Sequence, residues 1–426
     1  MNTILLTAAA LILARWIAEL WLDRLNRRHV FAHADRVPPA FEHTIDQPTY
    51  DKSVRYTLAK NSLSQVEGGY NTAILLLALT SGVLPLALRE TTAAFGHSAW
   101  AMAGFLFAVG LGFSILGLPL AWHEQFRLEE RFGFNTTTQK LWWGDRVEGL
   151  LLAMLLGYPL VLLVLKIVDW AGPWWWLWAW GSLLFFQLLM VVLAPVIIMP
   201  LFNKFTPLPE GSLRERLLAL GRKTAFPARN IQVMDGSKRS RHSNAFFTGF
   251  GGFRKIVLFD TLIAQLSEPE LEAVLAHEIG HYKRHHILKM LSWSAIASLA
   301  GFYALSLLMQ QPWFYRAFGF EPAQPVAALL LFALLSGAVT FWVSPLANLW
   351  SRRYEYEADT YAARITGEVD SLTGALRKLN EKNLSNLTPH PLFSAFYYSH
   401  PTLLERETAL AKLRLTSPEP EPTAAT

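Results

Sequence analysis

The sequence predicts an all-α membrane protein of seven transmembrane helices, joined to a separately folded helical module that carries a small β-sheet. Three observations point there. Of the 426 residues, 52% are hydrophobic and only 17% charged. The chain has 16 Trp and 27 Phe, and amphipathic rings collect at membrane interfaces. Mainly apolar stretches recur at 3–21, 71–89, 101–120, 148–169, 175–199, 290–309 and 325–349, each near the roughly 20 residues a helix needs to cross a hydrocarbon core about 30 Å thick.

The first stretch lacks the basic start and small-residue cleavage site of a signal peptide and reads as a retained span. Several spans carry charges: Arg15 and Glu19 in the first, Glu148 opening the fourth, Lys166 and Asp169 closing it. Such groups snorkel to an interface or face a polar interior. The connections alternate in charge. Arg24, Arg27, Arg28, Arg36, Lys52, Arg55 and Lys60 follow span one, and Arg127, Arg131, Lys140 and Arg146 follow span three. Residues 90–100 and 170–174 contain no Lys or Arg, and 310–324 contains only Arg316. Positive loops stay inside, so the insert between spans five and six and the C-terminus are expected in the cytoplasm, with the N-terminus outside. Trp174, Trp175, Trp176 and Trp178 then mark the outer interface. The net charge of +5 is a topology signal beside anionic lipid, and no nucleic-acid partner is expected. Sequons beginning at Asn135, Asn383 and Asn386 fall on the cytoplasmic side, where glycosylation is not expected.

The organisation that follows is an N-terminal membrane region over 1–199, a cytoplasmic insert over 200–289, spans six and seven over 290–349, a helical C-terminal part over 350–416 and a disordered tail over 417–426. Within the insert, Ile231–Met234 and Lys255–Phe259 are β-rich runs, and residues 244–249 between them form a short edge strand. Ser267-Glu268-Pro269-Glu270 announces a helix, with Ser at the N-cap, Pro in the first turn and Glu at the third helical position.

That helix runs into His277-Glu278-Ile279-Gly280-His281. Residues four apart share a helix face, so both imidazoles reach one zinc ion, and Glu278 projects beside it as the base for an attacking water. The bland alternative is a polar helix face without a metal. No cysteine is present, so any further ligand is His, Asp or Glu, and a catalytic zinc takes three protein ligands. Glu355-Tyr356-Glu357-Ala358-Asp359 is the best supply. Glu355 and Asp359 share a face, one to ligate and the other to orient a ligating His; spacing does not say which. An acidic helix start balancing Arg352, Arg353 and Arg364 fits the same residues. His285 and His286, after Lys283-Arg284, read as basic membrane-edge residues.

Several separate blocks together are similar to the type 1 CAAX prenyl protease family of integral-membrane zinc metalloproteases. They are 200–209 (PLFNKFTPLP), 236–240 (GSKRS), 242–245 (HSNA), 256–262 (IVLFDTL), 277–281 (HEIGH), 351–359 (SRRYEYEAD), 398–401 (YSHP) and 404–406 (LER). The resemblance implies a gluzincin-type endopeptidase with Zn2+ on His277, His281 and Glu355, and Asp359 behind them. It implies that Asn244 and Ala245 lie on an edge strand that pairs with substrate backbone, and that His400 donates to the oxyanion. It also implies a ring of seven helices forming a barrel-like chamber, with the site on the cytoplasmic side. Peptide or protein substrates, prenylated ones among them, are the expected partners, in a monomer surrounded by membrane lipid. Short outer loops and an end without a dilysine-type retrieval signal point to a bacterial inner membrane rather than the endoplasmic reticulum. Two other functions compete with this one. A quality-control protease of the HtpX type has fewer spans. A transporter or receptor with a structural zinc would need a fourth protein ligand and no Glu278.

Overall fold

The computed structural model describes residues 2–226, 231–248 and 255–416; the tail over 417–426 lies outside them. In chain order the helices that precede the insert are α1 (Thr3–Ala32), α2 (Gln47–Thr80), α3 (Val83–Phe95), α4 (Ala99–Phe132), α5 (Gln139–Trp170) and α6 (Gly172–Phe202). The insert holds β1 (Phe205–Pro207), α7 (Ser212–Lys223), β2 (Ile231–Met234), β3 (Ala245–Thr248), β4 (Lys255–Phe259), α8 (Asp260–Gln265) and α9 (Glu268–Lys283). Then come α10 (His286–Leu308), α11 (Pro312–Arg316), α12 (Pro325–Thr340), α13 (Ser344–Thr366), α14 (Val369–Lys382), α15 (Pro391–Tyr397) and α16 (Leu403–Thr416).

Five of these, α1, α4, α5, α6 and α10, are long and apolar enough to cross a membrane, and the bent pairs α2–α3 and α12–α13 bring the number to seven. The second and seventh spans are therefore not the unbroken rods that hydropathy alone suggests. Between α2 and α3 the chain turns by 57° at Gly82, whose φ of 77° is a left-handed conformation that glycine adopts without a Cβ clash. The seventh breaks over residues 341–343 because Pro345 follows. Proline has no N–H for the helix ladder, it disfavours helical backbone at the residue before it, and it suits the first turn of a new helix. That new helix, α13, carries Glu355 and Asp359.

Residues group by proximity into two units, one of 1–24, 59–198 and 289–344, the other of 25–58, 199–288 and 345–426. The first is the membrane unit. Its core includes Ala103, Ala179, Ala327 and Ala328, all 0% exposed, small residues that let apolar helices approach closely, and the fully buried Leu331. Two of its charges find local partners: Arg15 pairs with Glu19 at 2.8 Å and lies over the Phe341 ring.

The second unit holds the sheet. Its strand order is β1-β2-β4-β3, with β1 antiparallel to β2, β2 parallel to β4 and β3 antiparallel to β4. Ile256, Val257 and Leu258 make β4 the covered centre, and β3 takes an edge, its Ala245 opposite Leu258. The strand β1 went unread in the sequence; at three residues ending in Pro207 it is too short to alternate visibly. Residues 25–58 fall by composition in the N-terminal region, yet they pack here, because Val30, Val37, Phe41, Ile45, Tyr50 and Val54 are buried in one core with Leu217 and Leu220 of α7 and Leu271 and Leu275 of α9.

Candidate metal centre

Helix α9 is fixed first by its own ends. The Ser267 N–H donates to Glu270 Oε2 at 2.7 Å, and the Ser267 hydroxyl donates to the same oxygen at 2.8 Å. Lys378 Nζ of α14 donates to it as well, at 2.7 Å. Leu271, Leu275 and Ile279, no more than 2% exposed, anchor the apolar face in the core. Gly280 then allows α13 to come close. A Cβ there would sit 3.0 Å from Ala358 Cα and 3.1 Å from the Ala358 carbonyl oxygen. No other residue type leaves that space open, and the approach faces the His pair of α9 with the acidic face of α13.

The sequence-predicted ligands converge. Among the described residues, His277, His281 and Glu355 are the one group of three that could hold a metal ion, each with one donor atom within 4.8 Å of the others. The two Nε2 atoms are 3.1 Å apart. Glu355 Oε2 is 3.4 Å from His277 Nε2, and its Oε1 is 3.3 Å from His281 Nε2. Ligands about 2.0–2.1 Å from a tetrahedral zinc are roughly 3.3 Å from one another, so the spacing fits that ion. The hydrogen bonding fits too. Glu355 is 4% exposed, and its Oε2 has no hydrogen-bond partner; the Arg406 Nη1 cation stands 3.7 Å away, beyond hydrogen-bond reach, so that oxygen keeps lone pairs open to a metal ion.

The far nitrogens of both rings are occupied. His277 Nδ1 donates to Asp359 Oδ1 at 2.8 Å. Asp359, 2% exposed, is itself gripped by Arg406, whose Nε and Nη2 donate to its two oxygens at 2.8 and 2.6 Å. Burial opposes a charged His277, but the bond to Asp359 and the nearby Glu355 carboxylate outweigh it and hold the ring's pKa up at about 9. His281 Nδ1 lies 2.9 Å from Nδ1 of His286, a residue the sequence reading set aside as a membrane-edge base. His286 is 1% exposed, and its spacing of five from His281 across a helix end carries no local signal. Arg406 was also missed as a contributor, although it stands inside the block 404–406.

Four other predicted residues belong to the same unit. Burial pushes the Glu278 carboxyl above its ordinary pKa, against the pull of His277 and His281. That makes it a stronger proton acceptor when ionised. His400 Nε2 is 3.4 Å from Glu355 Oε1, with Ser399 Oγ 2.9 Å from its Nδ1. The segment before it is held by Arg352 of α13, whose Nη1 donates to the carbonyls of Ala395 and Tyr398 at 3.1 and 2.7 Å. Asn244 leads into β3, which begins at Ala245 and runs beside α9. The Asn244 carbonyl accepts from Phe259 N–H of β4, so in this antiparallel register the Ala245 N–H and C=O face the outer edge, where the N–H donates to Asn244 Oδ1 at 2.8 Å.

Known proteins resemble the chain over nearly its whole length. Residues 26–204 match a family model described as CAAX prenyl protease N-terminal, five membrane helices, and 207–414 match peptidase family M48. CAAX prenyl protease 1 of Saccharomyces cerevisiae is 38% identical over 402 residues, 88% of either chain. The human CAAX prenyl protease 1 homolog is 31% identical, with 95% of each chain covered. The crystal structure of S. mikatae Ste24p superposes with a TM-score of 0.89 at 35% identity, over 95% of this chain and 98% of that one.

Proposed function

The chain belongs to the CAAX prenyl protease 1 family of peptidase family M48, multi-pass membrane metalloproteases, and from that premise we propose that it is a zinc endopeptidase acting on CAAX-type prenylated peptides. We assign the zinc to His277, His281 and Glu355. The observation that carries this assignment is the buried Glu355 carboxylate, one oxygen without a hydrogen bond, facing two imidazole Nε2 atoms whose Nδ1 atoms are already engaged. Zinc, when bound, supplies a Lewis acid that polarises a scissile carbonyl and acidifies water.

The chain's own residues supply the rest. Glu278, its carboxyl made more basic by burial, takes the proton from the attacking water and passes it to the leaving amine. An extended peptide adds to the outer edge of β3 and meets the backbone of Ala245 there. His400, its side chain 64% exposed beside Glu355, donates to the carbonyl oxygen as negative charge develops on it. Asp359 keeps His277 in the tautomer whose Nε2 is free to ligate. Loop charge supports a cytoplasmic site, and short outer loops support a bacterial inner membrane. Because the named relatives are eukaryotic, the endoplasmic reticulum is the competing placement.

The deciding experiment incubates a farnesylated CAAX peptide with purified, zinc-loaded protein and reads the products by mass spectrometry. Cleavage at one bond near the prenylated Cys is expected, and its loss in Glu278→Gln at unchanged zinc content. Equal cleavage by Glu278→Gln would remove Glu278 from the mechanism. Absence of cleavage by the zinc-loaded wild type would direct the activity to unprenylated substrates.

A further inference from the structure

Helix α9 ends at Lys283, and the chain reverses through His285, whose φ of 56° is left-handed, so that His286 opens α10 pointing back toward His281. His286 is buried and stacks on the Tyr354 ring of α13, with centroids 4.4 Å apart and planes 16° from parallel. Its Nδ1 is 2.9 Å from His281 Nδ1, and its Nε2 is 3.2 Å from Glu357 Oε2. Arg353 Nε lies 3.3 Å from the other Glu357 oxygen.

The direction of the protons in this row follows from its end. An ionised carboxylate only accepts. His286 therefore carries its proton on Nε2, directed at Glu357, and its Nδ1 is an acceptor. With a metal between His281 Nε2 and Glu355, His281 then carries its proton on Nδ1 and donates it to His286, which leaves the His281 Nε2 lone pair for the metal. The opposite order would place a His286 lone pair against the Glu357 carboxylate and a proton on the nitrogen that is to ligate.

We propose that His286 is a positioning residue: with Glu357 behind it, it locks His281 in the ligating tautomer and ring orientation, as Asp359 does for His277. This rests on the zinc reading above and deepens it. Two ligands are thus prepared by two separate carboxylates. Asp359 reaches its imidazole directly, and Glu357 reaches its own through a second imidazole.

The test measures zinc affinity by competition with a chromophoric chelator, the absorption spectrum of the cobalt-substituted protein, and melting temperature with and without metal. The proteins are wild type, His281→Ala, His286→Phe and Glu357→Gln. His286→Phe keeps the stack on Tyr354 and removes the acceptor. Its metal-free melting temperature should stay near that of wild type, while zinc affinity falls about 10- to 100-fold and the cobalt spectrum shifts. Glu357→Gln should lose affinity in the same direction by a smaller factor. Wild-type zinc affinity and cobalt spectrum in His286→Phe, with His281→Ala devoid of zinc, would overturn the relay and leave the metal centre standing. Should His286→Phe not fold, Glu357→Gln decides, and wild-type affinity there overturns the proposal. A wild-type protein that takes up no zinc would overturn the metal centre and the relay together.

Discussion

Glu355 turns a different oxygen to each imidazole of α9, and the groups behind those imidazoles decide how well it can hold a metal. Replacing Asp359 by Ala should weaken zinc binding about 10- to 100-fold, read by chelator competition, and wild-type affinity would return Asp359 to a purely structural part. The proton on His277 sets a second expectation. In the metal-free protein its pKa stands at about 9 against an ordinary 6.5, so at pH 7 an incoming metal displaces a proton. Affinity should climb from pH 7 toward 9, and calorimetry in buffers of different ionisation heat should show proton release; a buffer-independent heat would contradict it. The same shift stabilises the metal-free fold fully below about pH 6.5, and that contribution is lost as pH rises through about 9. At this scale the sequence was most legible where ligands are neighbours on one helix. The His277–His281 pair is visible as a spacing. Choosing Glu355 over Asp359 needed the family resemblance, and Arg406 and His286 reach the site through contacts that no local pattern announces.

Among the elements, the crossing of α9 and α13 at Gly280 has little slack. Gly280→Val would press a branched side chain into the Ala358 backbone. It should cost about 1–3 kcal/mol, as overpacking does, and separate the His pair from Glu355, so that melting temperature and zinc content fall together. Retained stoichiometric zinc would show that the helices can part without opening the site. The edge strand gives a different kind of test. Ala245→Pro removes an N–H that faces away from β4 and bonds the Asn244 side chain, so the sheet is retained, zinc stays bound, and peptide cleavage weakens mainly through KM. Unchanged kinetics would take β3 out of substrate binding. Elements with a strong local pattern, such as β2, β4 and the capped start of α9, were readable in advance. Those that depend on distant partners were not. Phe41, Ile45 and Tyr50 look like loop residues until the core over α7 and α9 claims them.

Over the whole molecule, composition identified the membrane spans because hydrocarbon demands long apolar helices. It could not reveal the breaks at Gly82 and before Pro345, where backbone chemistry interrupts an otherwise continuous apolar run. Orientation is the expectation that belongs to this scale. A reporter fused after residue 416 should be active in the cytoplasm, and activity on the opposite side would invert the charge-based topology.

The break before Pro345 also bears on the order of synthesis. The two imidazoles leave the ribosome on α9, ahead of the spans α10 and α12, while Glu355 follows them on α13 and Arg406 arrives on α16. His277 and its Asp359 partner are 82 positions apart in the chain, with both of those spans between them. A nascent chain that has not yet threaded them through the bilayer carries the two imidazoles without the carboxylates proposed to complete their site. On the proposed ligand set, peptide-bond hydrolysis begins only after both spans have been made and α13 has followed them.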